Sequence, residues 1–89
     1  MLRKDITIIN RLGLHARAAA KLVSCAGGYL SQIHLQRNGL RVNGKSIMGV
    51  MMLAASQGSS VEIEVSGEDE AEAIQALESL INDRFGEGQ

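Results

Sequence analysis

The chain has 89 residues, enough for one domain and one core, and 45% of them are apolar, which suits a packed globule rather than disorder. A domain this small holds a shallow site but hardly a deep substrate cavity. The net charge of −1 gives no bulk attraction for nucleic acid or a membrane surface, and the single cysteine, Cys25, excludes an internal disulfide.

In chain order, Met1-Leu2-Arg3-Lys4-Asp5 is charged and carries no secretory pattern. Ile6-Thr7-Ile8-Ile9 reads as a first strand, β-branched, with Ile6 and Ile8 on one face. Asn10-Arg11-Leu12-Gly13-Leu14 follows as a loop. From Ala16 the pattern is helical: Ala19, Leu22, Val23 and Ala26 share a stripe, and Gly27-Gly28 stops it, glycine taking the left-handed conformation at low cost. Gln32 to Gln36 alternates, with Ile33 and Leu35 inward. Asn38-Gly39 signals a tight hairpin into a strand carrying Leu40 and Val42, and Asn43-Gly44 marks another turn.

Ser46 is placed to cap a second helix running from Ile47 to about Ala55. Gln57-Gly58-Ser59 is a loop. Ser60 to Ser66 alternates again, with Val61, Ile63 and Val65 inward and Glu62 and Glu64 outward. Ser66 or Gly67 opens a last helix, whose early acids Glu68, Asp69 and Glu70 suit the dipole. Ala73, Ile74, Leu77, Ile81 and Phe85 form its stripe, and Gly86 to Gln89 reads as frayed. The order β-α-β-β-α-β-α fits an α+β fold. A four-stranded antiparallel sheet packs its helices on one side and leaves Gln32, His34, Gln36, Glu62 and Glu64 to water. The longest apolar stretch, Ile47 to Ala55, is far short of the roughly 20 residues of a membrane span. A soluble, cytoplasmic, monomeric protein is expected.

Charge is unevenly spread. Residues 1–45 hold eight of the nine Lys and Arg and one acid, whereas residues 46–89 hold one Arg and nine acids. Two solvated faces would explain this, and so would a basic face that meets acidic partners or phosphate.

Two segments can carry chemistry. In Gly13-Leu14-His15-Ala16-Arg17, His15 sits at a helix N-terminus, where free amides and the helix dipole favour an anion. A phosphoryl group on the imidazole would meet the amides of Ala16 and Arg17, and the Arg17 side chain reaches the same oxygens. A helix-capping histidine with no chemistry is the plainer alternative. His34 and His15, nineteen residues apart, make a weak metal case, so no metal or cofactor is expected. A small hydrolase with His15 as general base lacks a partner nucleophile.

The second segment is Lys45-Ser46-Ile47-Met48-Gly49-Val50-Met51-Met52-Leu53. Turning Ile47, Val50, Leu53 and Ala54 toward the sheet leaves Met48, Met51 and Met52 outside. A docking surface of Ile47, Met48, Met51 and Met52 is then expected, methionine being an adaptable contact residue. Ser46, first a helix cap, is also a candidate phosphorylation site.

Both segments, in this order and spacing, resemble the HPr family of phosphocarriers, and the likeness spans the whole chain as a single domain, 1–89. The resemblance implies an open-faced β-sandwich with three helices. It implies that His15 takes phosphate on Nδ1 from phosphorylated enzyme I, itself charged by phosphoenolpyruvate, with the help of Arg17, and passes it to a histidine of an enzyme IIA protein. It also implies docking through the first two helices and, in some lineages, a kinase acting at the position of Ser46. Many members carry proline after the arginine, where this chain has Ala18. Alanine keeps the helix and relaxes that constraint, so no loss of function is expected. The run Leu12 to Lys21, Met51-Met52-Leu53-Ala54-Ala55 and Ile81-Asn82-Asp83-Arg84-Phe85 are most similar to the nitrogen-related branch, NPr, which serves regulation. Alternatives are a sugar-uptake member and a regulatory module that binds partners without phosphorylation.

Overall fold

The computed structural model describes residues 1–88. The elements are β1 (Leu2–Thr7), α1 (Ala16–Gly27), β2 (Gln32–Arg37), β3 (Leu40–Asn43), α2 (Ile47–Met52), β4 (Ser60–Ser66) and α3 (Glu70–Asn82), followed by a 3-10 turn at Arg84–Gly86. The strands form one antiparallel sheet in the order β1-β4-β2-β3. This is the expected open-faced α+β sandwich.

The central strand β4 shows how alternation sets the layers. Val61, Ile63 and Val65 are fully buried, and Glu62 and Glu64 point the other way. On the inner face they meet Ile33 and Leu35 of β2, Ala18, Ala19, Leu22 and Ala26 of α1, and Ala73, Leu77 and Ile81 of α3 in one core. On the open face Glu64 bridges two strands, pairing with Arg3 at 3.0 Å and with Arg41 at 2.6 Å. Those two arginines and Glu78's partner Lys4 spend part of the sequence's charge asymmetry inside the fold.

Several boundaries differ from the sequence reading, each for a physical reason. β1 begins at Leu2, because β4 is long enough to pair with it from Leu2↔Val65 to Thr7↔Ser60. Its charged residues suit an edge strand, which must discourage further pairing. Ile8 is buried just past the strand, its amide donating to Ser59 O at 2.8 Å. α1 does stop at the glycines, but Gly28 stays right-handed at φ −77 and closes the turn by donating to Cys25 O. The buried stripe of α1 takes in Ala18, with Val23 only partly buried beside it.

The Asn38-Gly39 hairpin has positive φ at both residues, 52 and 80, as a two-residue turn of the primed type requires. α2 is shorter than expected, ending at Met52, with Ala54 left-handed beyond it. Ile47 is 45% exposed and Ala54 is exposed too, so only Val50 and Leu53 face the core. α3 opens at Glu70 rather than at Ser66 or Gly67. β4 runs through Ser66, and the Asp69 carboxylate turns away from its own helix to accept from the Leu30 and Ser31 amides at 2.8 and 3.0 Å. The end of the chain is held in place through Glu87 rather than frayed from Gly86. Phe85 is 1% exposed and locks the tail onto the core, while Gln89 lies outside the described residues.

Candidate functional site

The site is built from a loop, a helix start and the returning tail. Gly13, at φ +67, packs its backbone directly on Ala55 and Ser56, and Leu14 donates its amide to Ala55 O at 2.9 Å. Leu14 itself is buried, so the next residue is delivered to the surface at a fixed point. That residue, His15, is the N-cap of α1: its backbone is extended and its carbonyl accepts from Ala19 N at 2.8 Å. Its side chain makes no capping bond. The ring is therefore not consumed by the helix end, which was the plainer alternative.

Beyond His15 the first-turn amides of α1, Ala16 and Arg17 among them, have no intrahelical acceptor. Arg17 is exposed, and with Arg11 and Lys21 it lines an open cleft of about 680 Å³ that also contains His15, Leu12 and, on the returning tail, Glu87. Three cations, free helix amides and a half-buried imidazole thus face one shallow space. A phosphoryl group placed there meets both charge and N–H donors.

The tail supplies what the sequence reading missed. Glu87 Oε2 lies 2.5 Å from His15 Nε2. Its other oxygen accepts from Asn10 Nδ2 at 3.0 Å, and the same Asn10 amide donates to Gly13 O at 2.8 Å. Lys21 Nζ holds the tail by donating to Phe85 O at 2.6 Å. Burial pushes the Glu87 carboxyl up, but the hydrogen bonds from Asn10 and His15, with the nearby positive charge of Lys21, outweigh it and hold the group below the usual carboxylate range. Glu87 is thus a carboxylate at neutral pH. No local pattern marked Glu87 or Asn10, which are 77 residues apart. The one available clue was Phe85 on the apolar stripe of α3, since an anchored Phe85 places residues 86 and 87 near the core.

The second segment lies close by. Ser46 caps α2, its hydroxyl accepting from Gly49 N at 3.1 Å. Met48 and Met52 are 74% and 62% exposed, with Ile47 and Met51 beside them. α2 packs on α1, and the Leu14–Ala55 bond ties the His15 loop to the segment after α2. His34 sits on the open face opposite Glu64 and Asn43, away from this site. Among the described residues no three His, Cys, Asp or Glu side chains are grouped to hold a metal ion. Nor, among the described residues, is any helix long and apolar enough to cross a membrane.

A family model described as the PTS HPr component phosphorylation site matches residues 2–83. The chain belongs to the HPr family of phosphocarriers of the phosphotransferase system. It is 61% identical to the phosphocarrier protein HPr of Cupriavidus necator over 89 residues, the whole of both chains. It is 57% identical to the HPr of Pseudomonas aeruginosa over 86 residues, 96% of each. Its fold matches a crystal structure of HPr from Thermoanaerobacter tengcongensis with a TM-score of 0.94, at 48% identity and 98% coverage of both. HPr proteins are small carriers, and a shallow cationic cleft beside an exposed apolar patch suits a group handed between proteins.

Proposed function

We propose that this chain carries the phosphoryl group on His15, accepting it from phosphorylated enzyme I and passing it to a histidine of an enzyme IIA protein. The observation that carries the reading is the His15 ring at the head of α1, unused by the cap and facing Arg11, Arg17 and Lys21. A neutral imidazole attacks phosphorus, while the α1 amides and the Arg17 guanidinium take the charge on the phosphoryl oxygens. The catalytic residues are then His15 and Arg17, with the backbone of Ala16 and Arg17 binding phosphate. No cofactor takes part.

Ile47, Met48, Met51 and Met52 form the docking patch, and the protein works as a cytoplasmic monomer. Ser46 is the candidate regulatory site for a serine kinase. A phosphate there would compete with the Oγ–Gly49 cap and place charge at the edge of the patch. The nitrogen-related branch is favoured by the runs Leu12 to Lys21, Met51 to Ala55 and Ile81 to Phe85.

Incubation with enzyme I and phosphoenolpyruvate should add one acid-labile phosphate to the intact mass, and His15→Ala should abolish it. A folded wild-type chain that stays unmodified would refute the reading. Faster transfer to a sugar-type IIA than to a nitrogen-type IIA would move the chain to the sugar branch. The exposed methionines also suit a regulatory module that never carries phosphate. That module would bind its partners equally well as His15→Ala and lose them as Met48→Glu.

A further inference from the structure

The carboxylate on the far edge of the His15 ring has a consequence for which nitrogen reacts. We propose that Glu87, held by Asn10, is a positioning residue that keeps the His15 ring in its Nε2–H tautomer and so presents Nδ1 as the nucleophile. The inference rests on His15 being the phosphorylated residue.

An ionised carboxylate only accepts hydrogen bonds, so the short contact from Glu87 Oε2 to Nε2 puts the ring proton on Nε2. In the neutral ring the lone pair is then on Nδ1. The location of the negative charge supports this role. A carboxylate beside the incoming phosphoryl group would repel it, whereas one on the opposite ring nitrogen does not block the approach. The cleft that holds the pair is also lined by three cations, Arg11 from the loop and Arg17 and Lys21 from α1, while neutral Asn10 grips Glu87.

Asn10 shows how firmly the carboxylate is set. It is fully buried, and its Nδ2 faces two acceptors, Gly13 O and Glu87 Oε1. Turning the amide over would aim an oxygen at both of them, so its orientation is determined by its partners. In that orientation its own Oδ1 is buried with no hydrogen-bond partner among the described residues. A buried acceptor left unpaired is costly, and here it accompanies an amide placed to grip the loop before His15 and the carboxylate behind it. Phe85 in the core and Lys21 on Phe85 O hold the tail from the other side.

The same contact serves the transfer step. The Nδ1 lone pair forms the bond to phosphorus, and the bond from phosphorus to the donor breaks with its electrons staying on the donor. No proton leaves the ring, which therefore becomes cationic with Nε2–H retained. Glu87 then faces a cation rather than a neutral ring, so its interaction strengthens as the N–P bond forms.

Nitrogen-15 NMR of the histidine ring in the full chain tests the assignment without any phosphorylation. The wild type is expected to show the Nε2–H tautomer alone, with an exchange-protected Nε2 proton. Glu87→Ala should give a mixture of tautomers and lose that protection, while its backbone amide spectrum stays native. Glu87→Gln keeps an acceptor without the charge and should restore the tautomer. In phosphorylation by enzyme I, Glu87→Ala should be slower by about tenfold or more, the size of one charge-assisted hydrogen bond, with Glu87→Gln in between. A single Nε2–H tautomer in Glu87→Ala overturns the proposal, as does a transfer rate within about twofold of wild type. A wild-type chain that is never phosphorylated would instead remove the His15 carrier reading, and the ring spectra would still decide the tautomer.

Discussion

Replacing Gly13 by alanine tests whether the His15 loop is set by backbone packing. Two costs are visible. The residue has φ +67, where a Cβ costs about 1–2 kcal/mol. The added Cβ would also lie 2.9 Å from Ser56 Cα and closer still to Ala55 O, both backbone atoms that cannot rotate away. The two segments must separate, and the 2.9 Å bond from Leu14 N to Ala55 O stretches or breaks. Leaving its buried groups unpaired costs about 1–3 kcal/mol more. Gly39→Ala is the internal control. Its φ is +80, but nothing lies within 4 Å of the added atom, so only the conformational cost of about 1–2 kcal/mol applies. In urea, with a slope of about 1 kcal/mol per molar, Gly13→Ala should lower the midpoint by about 2–5 M and Gly39→Ala by about 1–2 M. Equal midpoints for the two variants would refute the packing argument, since the φ term is common to both.

The other predictions follow from single contacts. Ser46→Ala removes the oxygen that accepts from Gly49 N and should cost about 1 kcal/mol in chemical denaturation, with the fold unchanged. Arg17→Ala, at an exposed position, should stay within about 0.5 kcal/mol of wild type in stability. It should nevertheless slow phosphoryl transfer by about 10- to 100-fold, measured as the initial rate with enzyme I. The Ser31 hydroxyl, and after it the Leu30 amide, hold the Asp69 carboxyl below its usual value. The unfolded chain therefore binds the proton more readily. The stabilisation is complete above the ordinary Asp value of about 3.9 and is lost as pH falls from there through the lower folded value. Urea midpoints measured between about pH 5 and pH 2 should fall less steeply in Asp69→Asn than in wild type.

Much of the protein was legible in residue order, because the deciding physics is local. Alternation in 60–66 fixes which side chains of β4 face inward whatever β4 pairs with. Ser46 before an apolar run can cap only the helix that follows it. His15 and Arg17 share a helix start because they are two residues apart. Their pairing with free amides follows from helix geometry alone.

What local order could not supply depended on segments that meet only after folding. The extent of β1 was set by the length of β4 as a template, not by the polarity of Arg3, Lys4 and Asp5. The start of α3 was set by Asp69, whose carboxylate is drawn to Leu30 and Ser31, 39 and 38 residues away. The tail behaves in the same way: Gly86-Glu87-Gly88 has the composition of a loose end, and only the burial of Phe85 turns it back toward α1. The sequence by itself thus determined the strands, the helices and the histidine at the head of α1, since these depend on period and capping. Tertiary structure alone decided what stands behind that histidine, because the Glu87 carboxylate meets it across 72 positions of chain and the Asn10 amide meets Glu87 across 77, separations that only the packed core closes.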